Sequence, residues 1–342
     1  MIKPLPLKVN TNLMKIAIVK LSALGDIIHS AFILQFIKKE FPDAQIDWIV
    51  EKGFASILEN NPHIDNIKTV ELKSIKKSFF NIFKEIKKIK EYAKQEYDMV
   101  IDLQGLAKSA ITARLLCKNV AGFDKNSTRE SIASLFYTKK INIAYDENTI
   151  DRYRVLASQA LDINITKEDV LNKEPYLFYE EREFEFLDKE KKNVIFIVGS
   201  TWQSRIYPKE QLVTIANSLD ANILIPFGNQ SEYDDAKFIE KNCKNVTVLP
   251  KMSLNDLKAL ISYADLLIGN DTGPSYIAWA NNIPSITLFG PTPPTRIYET
   301  KVNKVLKSSS QVDHYKLDKN DFSICEIKEE KILKIAKELL NV

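Results

Sequence analysis

Short β-branched apolar runs, each followed by a turn and then by apolar residues at helical spacing, recur through this sequence. Such alternation builds a parallel, doubly wound α/β sheet, because strands buried on both faces need helices to cover them. The first run, residues 15–20 (KIAIVK), leads through Gly25 into Ala31, Ile33, Leu34, Phe36 and Ile37, an apolar helical stripe. Residues 46–50, 98–103 and 120–123 supply further strands. The second half restarts with strands at 193–198, 221–226, 246–249, 265–268 and 285–289. Helices are expected over 208–219, 231–241, 253–263, 273–281 and 326–340.

The 342 residues exceed the roughly 250–300 at which a single core stops growing, so two domains are expected. Residues 14–165 form the first and 193–342 the second. Residues 166–192, where periodicity fades and charge rises, connect them. Residues 1–13 are expected to be a disordered leader. No apolar run approaches the ~18 residues that an ordinary membrane-spanning helix needs.

Charge is unevenly spread. Residues 1–150 hold 23 Lys and Arg against 17 Asp and Glu, and the remainder hold 25 against 28. The most cationic stretch is 68–94, with nine lysines and three glutamates. Its Ile75, Phe79, Ile82, Phe83, Ile86 and Ala93 recur at helical spacing, which predicts an amphipathic helix with a cationic outer face. That face is either simply solvated or drawn to an anionic surface. No nucleic-acid recognition pattern accompanies the lysines. Cys117, Cys243 and Cys325, like His29, His63 and His314, are too scattered for a disulfide framework or a metal cluster, so neither metal nor cofactor is expected.

Three loops stand where open parallel sheets collect ligands, beyond the carboxyl ends of strands. In Lys20-Leu21-Ser22-Ala23-Leu24-Gly25-Asp26 the one carboxylate, Asp26, is either a reacting group or a helix cap. In Gly199-Ser200-Thr201-Trp202-Gln203-Ser204-Arg205, two hydroxyls and a guanidinium precede a helix, an arrangement suited to a phosphate clamp or to a solvated surface loop. In Gly269-Asn270-Asp271-Thr272-Gly273-Pro274-Ser275, Asp271 or Thr272 caps a helix while Gly273 lets a ligand approach the backbone. Glu232 opens a further helix, where it complements the helix dipole or accepts from a ribose diol. The dinucleotide Gly-X-Gly-X-X-Gly, the Gly-Lys-Ser/Thr phosphate loop and the Gly-X-Ser-X-Gly elbow are all missing, which disfavours dehydrogenases, ordinary nucleotide hydrolases and α/β hydrolases.

Taken together, these loops resemble those of the ADP-heptose:lipopolysaccharide heptosyltransferases, and within that family the heptosyltransferase I branch. The segments carrying the resemblance are IVKLSALGDIIH (18–29), DWIVEKGFA (47–55), VIDLQGLAKS (100–109), STRESIASLFY (127–137), LPKMSL (249–254) and NDTGPS (270–275). The resemblance implies a GT-B architecture, two Rossmann-like domains facing a central cleft, with acceptor held by the first and nucleotide sugar by the second. It implies inverting transfer of heptose from ADP-heptose to the inner Kdo of Kdo-lipid A, at the cytosolic face of the inner membrane. It casts Asp26 as general base, Ser200, Thr201, Arg205, Glu232, Asp271, Thr272 and Gly273 as donor-binding, and Lys73, Lys76, Lys77, Arg129 and Arg152 as acceptor-binding. Two departures stand out: Arg205 occupies a lysine position, and Tyr276 a histidine position. Heptosyltransferase II with a heptosylated acceptor, a nucleotide-sugar epimerase and a non-catalytic membrane-surface binding protein are the competing readings.

Overall fold

The computed structural model describes residues 13–73 and 80–341. Its first sheet contains β1 (Lys15–Val19), β2 (Gln45–Glu51), β3 (Asn66–Val70), β4 (Met99–Asp102), β5 (Val120–Phe123) and β6 (Lys139–Ile141), all paired in parallel. The spatial order is β3-β2-β1-β4-β5-β6. Helices α1 (Leu24–Ala31), α2 (Ile33–Glu40) and α5 (Thr149–Leu161) cover one face, and α3 (Phe80–Ala93) and α4 (Ala107–Leu116) the other. A short helix α6 (Lys167–Leu171) follows. The second sheet repeats the plan with β7 (Asn193–Ile197), β8 (Asn222–Ile225), β9 (Val246–Val248), β10 (Leu266–Asn270), β11 (Ser285–Phe289) and β12 (Asn303–Lys307), in the order β12-β11-β10-β7-β8-β9. Its helices are α7 (Lys209–Asn217), α8 (Gln230–Asn242), α9 (Leu254–Ser262), α10 (Gly273–Ala280) and α11 (Glu329–Leu340).

Both orders reverse at the centre, between β1 and β4 and between β7 and β10. The loops leaving those strands therefore diverge over a crevice in each lobe. The crevices meet through α1 and α10. A side chain on Gly25 would lie 2.9 Å from the Tyr276 ring, and one on Gly273 would lie 2.8 Å from Leu24. Each lobe thus has a glycine where the other lobe needs the space.

One apolar cluster runs through both lobes, joining Ile27, Ile28 and Phe32 to Tyr176, Leu260, Ile277 and Trp279. Buried polar groups bridge it. Lys258 Nζ, on α9, donates to the carbonyls of Ser56, Ile57 and Glu59 at 3.3, 3.4 and 3.0 Å. Tyr176 Oη donates to Ile28 O (3.0 Å), and Lys173 Nζ donates to Trp279 O (2.8 Å).

The structure corrects several expectations. The helix after Asp26 divides at Phe32, which keeps right-handed helical geometry (φ −57°, ψ −26°), so the apolar stripe is nearly continuous. The lysine-rich stretch is not one helix from residue 68. Lys68 and Thr69 belong to β3, paired with β2, and among the described residues the helix spans Phe80–Ala93. Lys76, Lys77 and residues 1–12 lie outside the described residues. Residues 166–192, expected to connect the two domains, include α6 and carry the buried Val170, Tyr176 and Leu177. Helix α5 was missed although Ile150, Tyr153, Leu156, Ala157, Ala160 and Leu161 follow helical spacing behind Asn148, whose side chain caps Ile150 N–H at 2.9 Å.

Candidate active site

The loop after β1 is pinned before it reaches Asp26. Gln104 Oε1, from the loop after β4, accepts the N–H groups of Leu21 and Ser22, each at 3.1 Å. That second loop is held by the buried Asp102, whose carboxylate accepts from Gln104 N–H (2.9 Å), Ser109 Oγ (2.8 Å) and Tyr137 Oη (2.7 Å). Lys20, buried at the end of β1, donates to Leu103 O (3.1 Å) and Tyr153 Oη (2.8 Å). Asp26 then occupies the third position of α1 and accepts the Ala23 N–H at 3.4 Å, a long bond that leaves most of the carboxylate's capacity unused. Its side chain is one-third exposed, at 33%.

Across the crevice stands a residue that the sequence reading passed over. Arg296, in the single 3₁₀ turn Pro294–Arg296 after β11, brings Nη1 to 3.9 Å from Asp26 Oδ1 and Nε to 3.7 Å from Asp271 Oδ2. The signal was available: a guanidinium in a proline-rich loop beyond a strand's carboxyl end is the same kind of feature that singled out Arg205. Arg205 Nη1 lies 3.6 Å from the same Asp271 oxygen, with its guanidinium 3.9 Å from the Trp202 ring centroid. Asp271 is buried and also accepts from Thr292 Oγ1 (2.5 Å) and Tyr276 Oη.

Electrostatics favour charge at the reacting face. Burial disfavours an ionised Asp26, but Lys20 and Arg296 outweigh it and hold the carboxyl below its ordinary range. Burial likewise works against Lys20 and Arg296, yet both are pushed up: Lys20 by Tyr153 and Asp26, and Arg296 by Asp271 and Asp26. Burial depresses Arg205, with Asp271 opposing. His29, fully buried against Tyr276 (ring centroids 4.0 Å apart), is pushed down to about 3 by burial and is a neutral imidazole at physiological pH.

Asp26, Arg129, Arg152, Arg205 and Arg296 line one cavity of about 340 Å³ whose walls come from both lobes. Arg152 is already engaged there. Its Nη1 and Nη2 donate to Ala144 O and Ser127 O at 2.7 Å each, and its guanidinium lies between the Phe123 and Tyr145 rings. Glu232 and Thr272 line a second cavity of about 250 Å³ with Phe227, Met252 and Leu254. Glu232 accepts Gly228 N–H (2.7 Å) and Asn229 Nδ2 (2.8 Å), so its carboxylate is oriented by its own loop. Ser200 Oγ points back to Asp271 O at 3.5 Å, Thr201 is exposed beside neither cavity, and Gly273 is covered by Leu24. Lys73 lies apart from both cavities, with its Nζ 5.0 Å from the Phe54 ring. Among the described residues no group of three or more His, Cys, Asp or Glu side chains is placed to hold a metal ion.

A family model described as glycosyltransferase family 9 (heptosyltransferase) matches residues 85–323. The chain is 42% identical to the lipopolysaccharide heptosyltransferase 1 of Campylobacter coli, over 96% of this chain and 99% of that one. It is 31% identical to lipopolysaccharide heptosyltransferase 1 of Escherichia coli K12, over 82% and 89% of the two chains. Among solved structures, E. coli heptosyltransferase WaaC with ADP-2-deoxy-2-fluoro heptose superposes with a TM-score of 0.77 at 27% identity, covering 95% of this chain and 99% of that one.

Proposed function

Because the chain belongs to glycosyltransferase family 9, the heptosyltransferases, we propose that it moves heptose from ADP-heptose to the inner Kdo of Kdo-lipid A with inversion at the anomeric carbon. It is an enzyme of lipopolysaccharide core assembly, and in this reading it works at the cytosolic face of the inner membrane, where nucleotide sugar and lipid acceptor meet. The observation that carries the mechanism is the position of Asp26: a charged, partly exposed carboxylate on a two-lobed cavity that Arg129, Arg152, Arg205 and Arg296 also line, with Glu147 as its other carboxylate.

Asp26 takes the proton of the acceptor hydroxyl as that oxygen bonds to the anomeric carbon and the bond to the ADP phosphate oxygen breaks on the opposite face. A carboxylate held ionised is a weak base, so its contribution is orientation of the hydroxyl and acceptance of the proton as the nucleophile's basicity falls during attack. Charge gathers on the departing diphosphate. Arg205 and Arg296 are positioned to meet it, with Ser200, Thr201, Thr272 and the Gly273 backbone as further donors. In this scheme Asp271, held by Tyr276 and Thr292, orients sugar hydroxyls, and Glu232 accepts from the ribose in the second cavity. Arg129 and Arg152, on the first cavity, meet the anionic acceptor, and Lys73, Lys76 and Lys77 are proposed to contact its more distant anionic groups.

The test is the product. Incubation with ADP-heptose and Kdo-lipid A should yield a lipid heavier by one heptose, with inverted anomeric configuration by NMR. Retained configuration would overturn the mechanism, and a product formed only on an already heptosylated lipid would reassign the acceptor.

A further inference from the structure

The layer of α3, α4 and the 3₁₀ helix Ser131–Phe136 buries Ile89, Ala110, Ala113 and Ala133 against the first sheet. Its outer side should then be polar. Instead Ile111 on α4 is 44% exposed, and Ile132 and Leu135 on the 3₁₀ helix are 57% and 74% exposed. Ile132 and Leu135 are three positions apart, so they leave the 3₁₀ helix on one side. That helix packs directly on α4. Single exposed aliphatics need no explanation, but three on two touching elements make a patch.

The surroundings of the patch are cationic. Lys84, Lys87 and Lys90 are exposed along α3, which also packs on α4, and Arg114, Lys118 and Arg129 are exposed nearby. The acids among them are engaged: Glu91 pairs with Lys94 at 2.6 Å, and Glu130 accepts the Ala107 N–H at 2.8 Å. A second copy docking through this face would bring two cationic rims together, whereas an anionic bilayer offers opposite charge at the rim and hydrocarbon at the centre.

We infer that the outer face of α3, α4 and the 3₁₀ helix is the surface by which this protein lies on an anionic membrane, with Ile111, Ile132 and Leu135 entering the boundary between headgroups and acyl chains. The inference deepens the proposed function and rests on it for one point, that the acceptor is a lipid. Arg129 joins the two: it lines the catalytic cavity three residues before Ile132, so an acceptor head in the cavity and its acyl chains in the bilayer are served by one edge of the lobe. Among the described residues no helix is long and apolar enough to cross a membrane, consistent with a surface seat.

The test uses the full chain and vesicles of phosphatidylcholine with or without phosphatidylglycerol, read by co-sedimentation. Ile111→Ser/Ile132→Ser/Leu135→Ser should weaken binding to anionic vesicles by at least about tenfold. Lys84→Glu/Lys87→Glu/Lys90→Glu should weaken it comparably and flatten its dependence on salt. Leu135→Trp should show fluorescence quenching by brominated acyl chains beyond that of the parent. Turnover of a water-soluble Kdo acceptor without acyl chains should be unchanged in the aliphatic variant. Unchanged vesicle affinity in the aliphatic variant, or an unquenched Leu135→Trp indole, overturns the inference. So does an aliphatic variant that alters the mass in solution and leaves vesicle binding intact, which would assign the face to a second copy. Loss of vesicle binding in a protein that transfers no heptose to any acceptor would sustain the docking face and refute the proposed function.

Discussion

Replacing Arg296 by Gln isolates the cation that faces Asp26 from the opposite lobe. At 3.9 Å and an effective dielectric constant near 20, two unit charges attract by about 4 kcal/mol. The Asp26 side chain is 33% exposed and that of Arg296 28%, so water screens the pair and about 1–2 kcal/mol is the realistic share. At 1.36 kcal/mol per unit, that is about one pH unit in the Asp26 titration. The sign follows from the role. The base must be ionised, so transfer fails as pH drops through the Asp26 pKa, which Lys20 and Arg296 hold below its ordinary value. Removing Arg296 raises that pKa, and the acid limb of kcat/KM moves to higher pH by about one unit. Lys20 remains, so Asp26 stays charged at neutral pH. Arg296→Lys, which keeps the charge and loses the fork, should leave the limb near that of the parent while lowering kcat. The assay is initial-rate ADP release from about pH 2.5 to 8 at limiting acceptor, because the parent's limb lies below the ordinary carboxylate range. An Arg296→Gln limb that superimposes on the parent's would refute the coupling of Arg296 to Asp26.

Asp26→Asn should bind ADP-heptose with near-parental affinity by calorimetry and lose about 10²–10⁴ in kcat, and near-normal turnover would return Asp26 to a helix-capping role. Tyr276→Phe removes the buried hydroxyl that donates to Asp271 and should cost about 1–2 kcal/mol in a denaturant titration; an unshifted midpoint would mean that the bond contributes nothing. Lys173, buried against the Trp279 ring, is pushed down to about 7 from an ordinary 10.5. Between those values the unfolded chain keeps a proton that the folded chain has shed, so stability rises with pH over that window. Lys173→Met should flatten the rise of Tm between pH 7 and about 10, and a slope equal to the parent's would contradict the assignment.

The parts legible in the sequence were those with local causes. β1 and β7 announce themselves as β-branched runs and β10 as the apolar Leu266-Leu267-Ile268, and the turns that follow carry Asp26, Arg205 and Asp271, so these residues were found from neighbours a few positions away. Arg296 carries the same local signal as Arg205, but its pairing with two carboxylates 270 and 25 positions distant in sequence, Asp26 and Asp271, is set only by the packing of α1 on α10. Three of the four edge strands, β3, β6 and β12, were lost for a related reason. β3 carries Lys68 and Thr69 toward a thinly covered edge, and its polar composition merged with the lysines that follow. The departure at Tyr276 acquires meaning only in three dimensions: the ring fills the space above Gly25, and the hydroxyl reaches Asp271.

The central claim is acceptor-dependent heptosyl transfer by a carboxylate base, and ADP release from ADP-heptose tests it most directly. It is measured with and without Kdo-lipid A, with the parent and with Asp26→Asn. The account predicts release by the parent only when acceptor is present, one heptose added per ADP formed, and a fall of about 10²–10⁴ in the variant. Release at equal rates with and without the lipid, or a variant as fast as the parent, would contradict it.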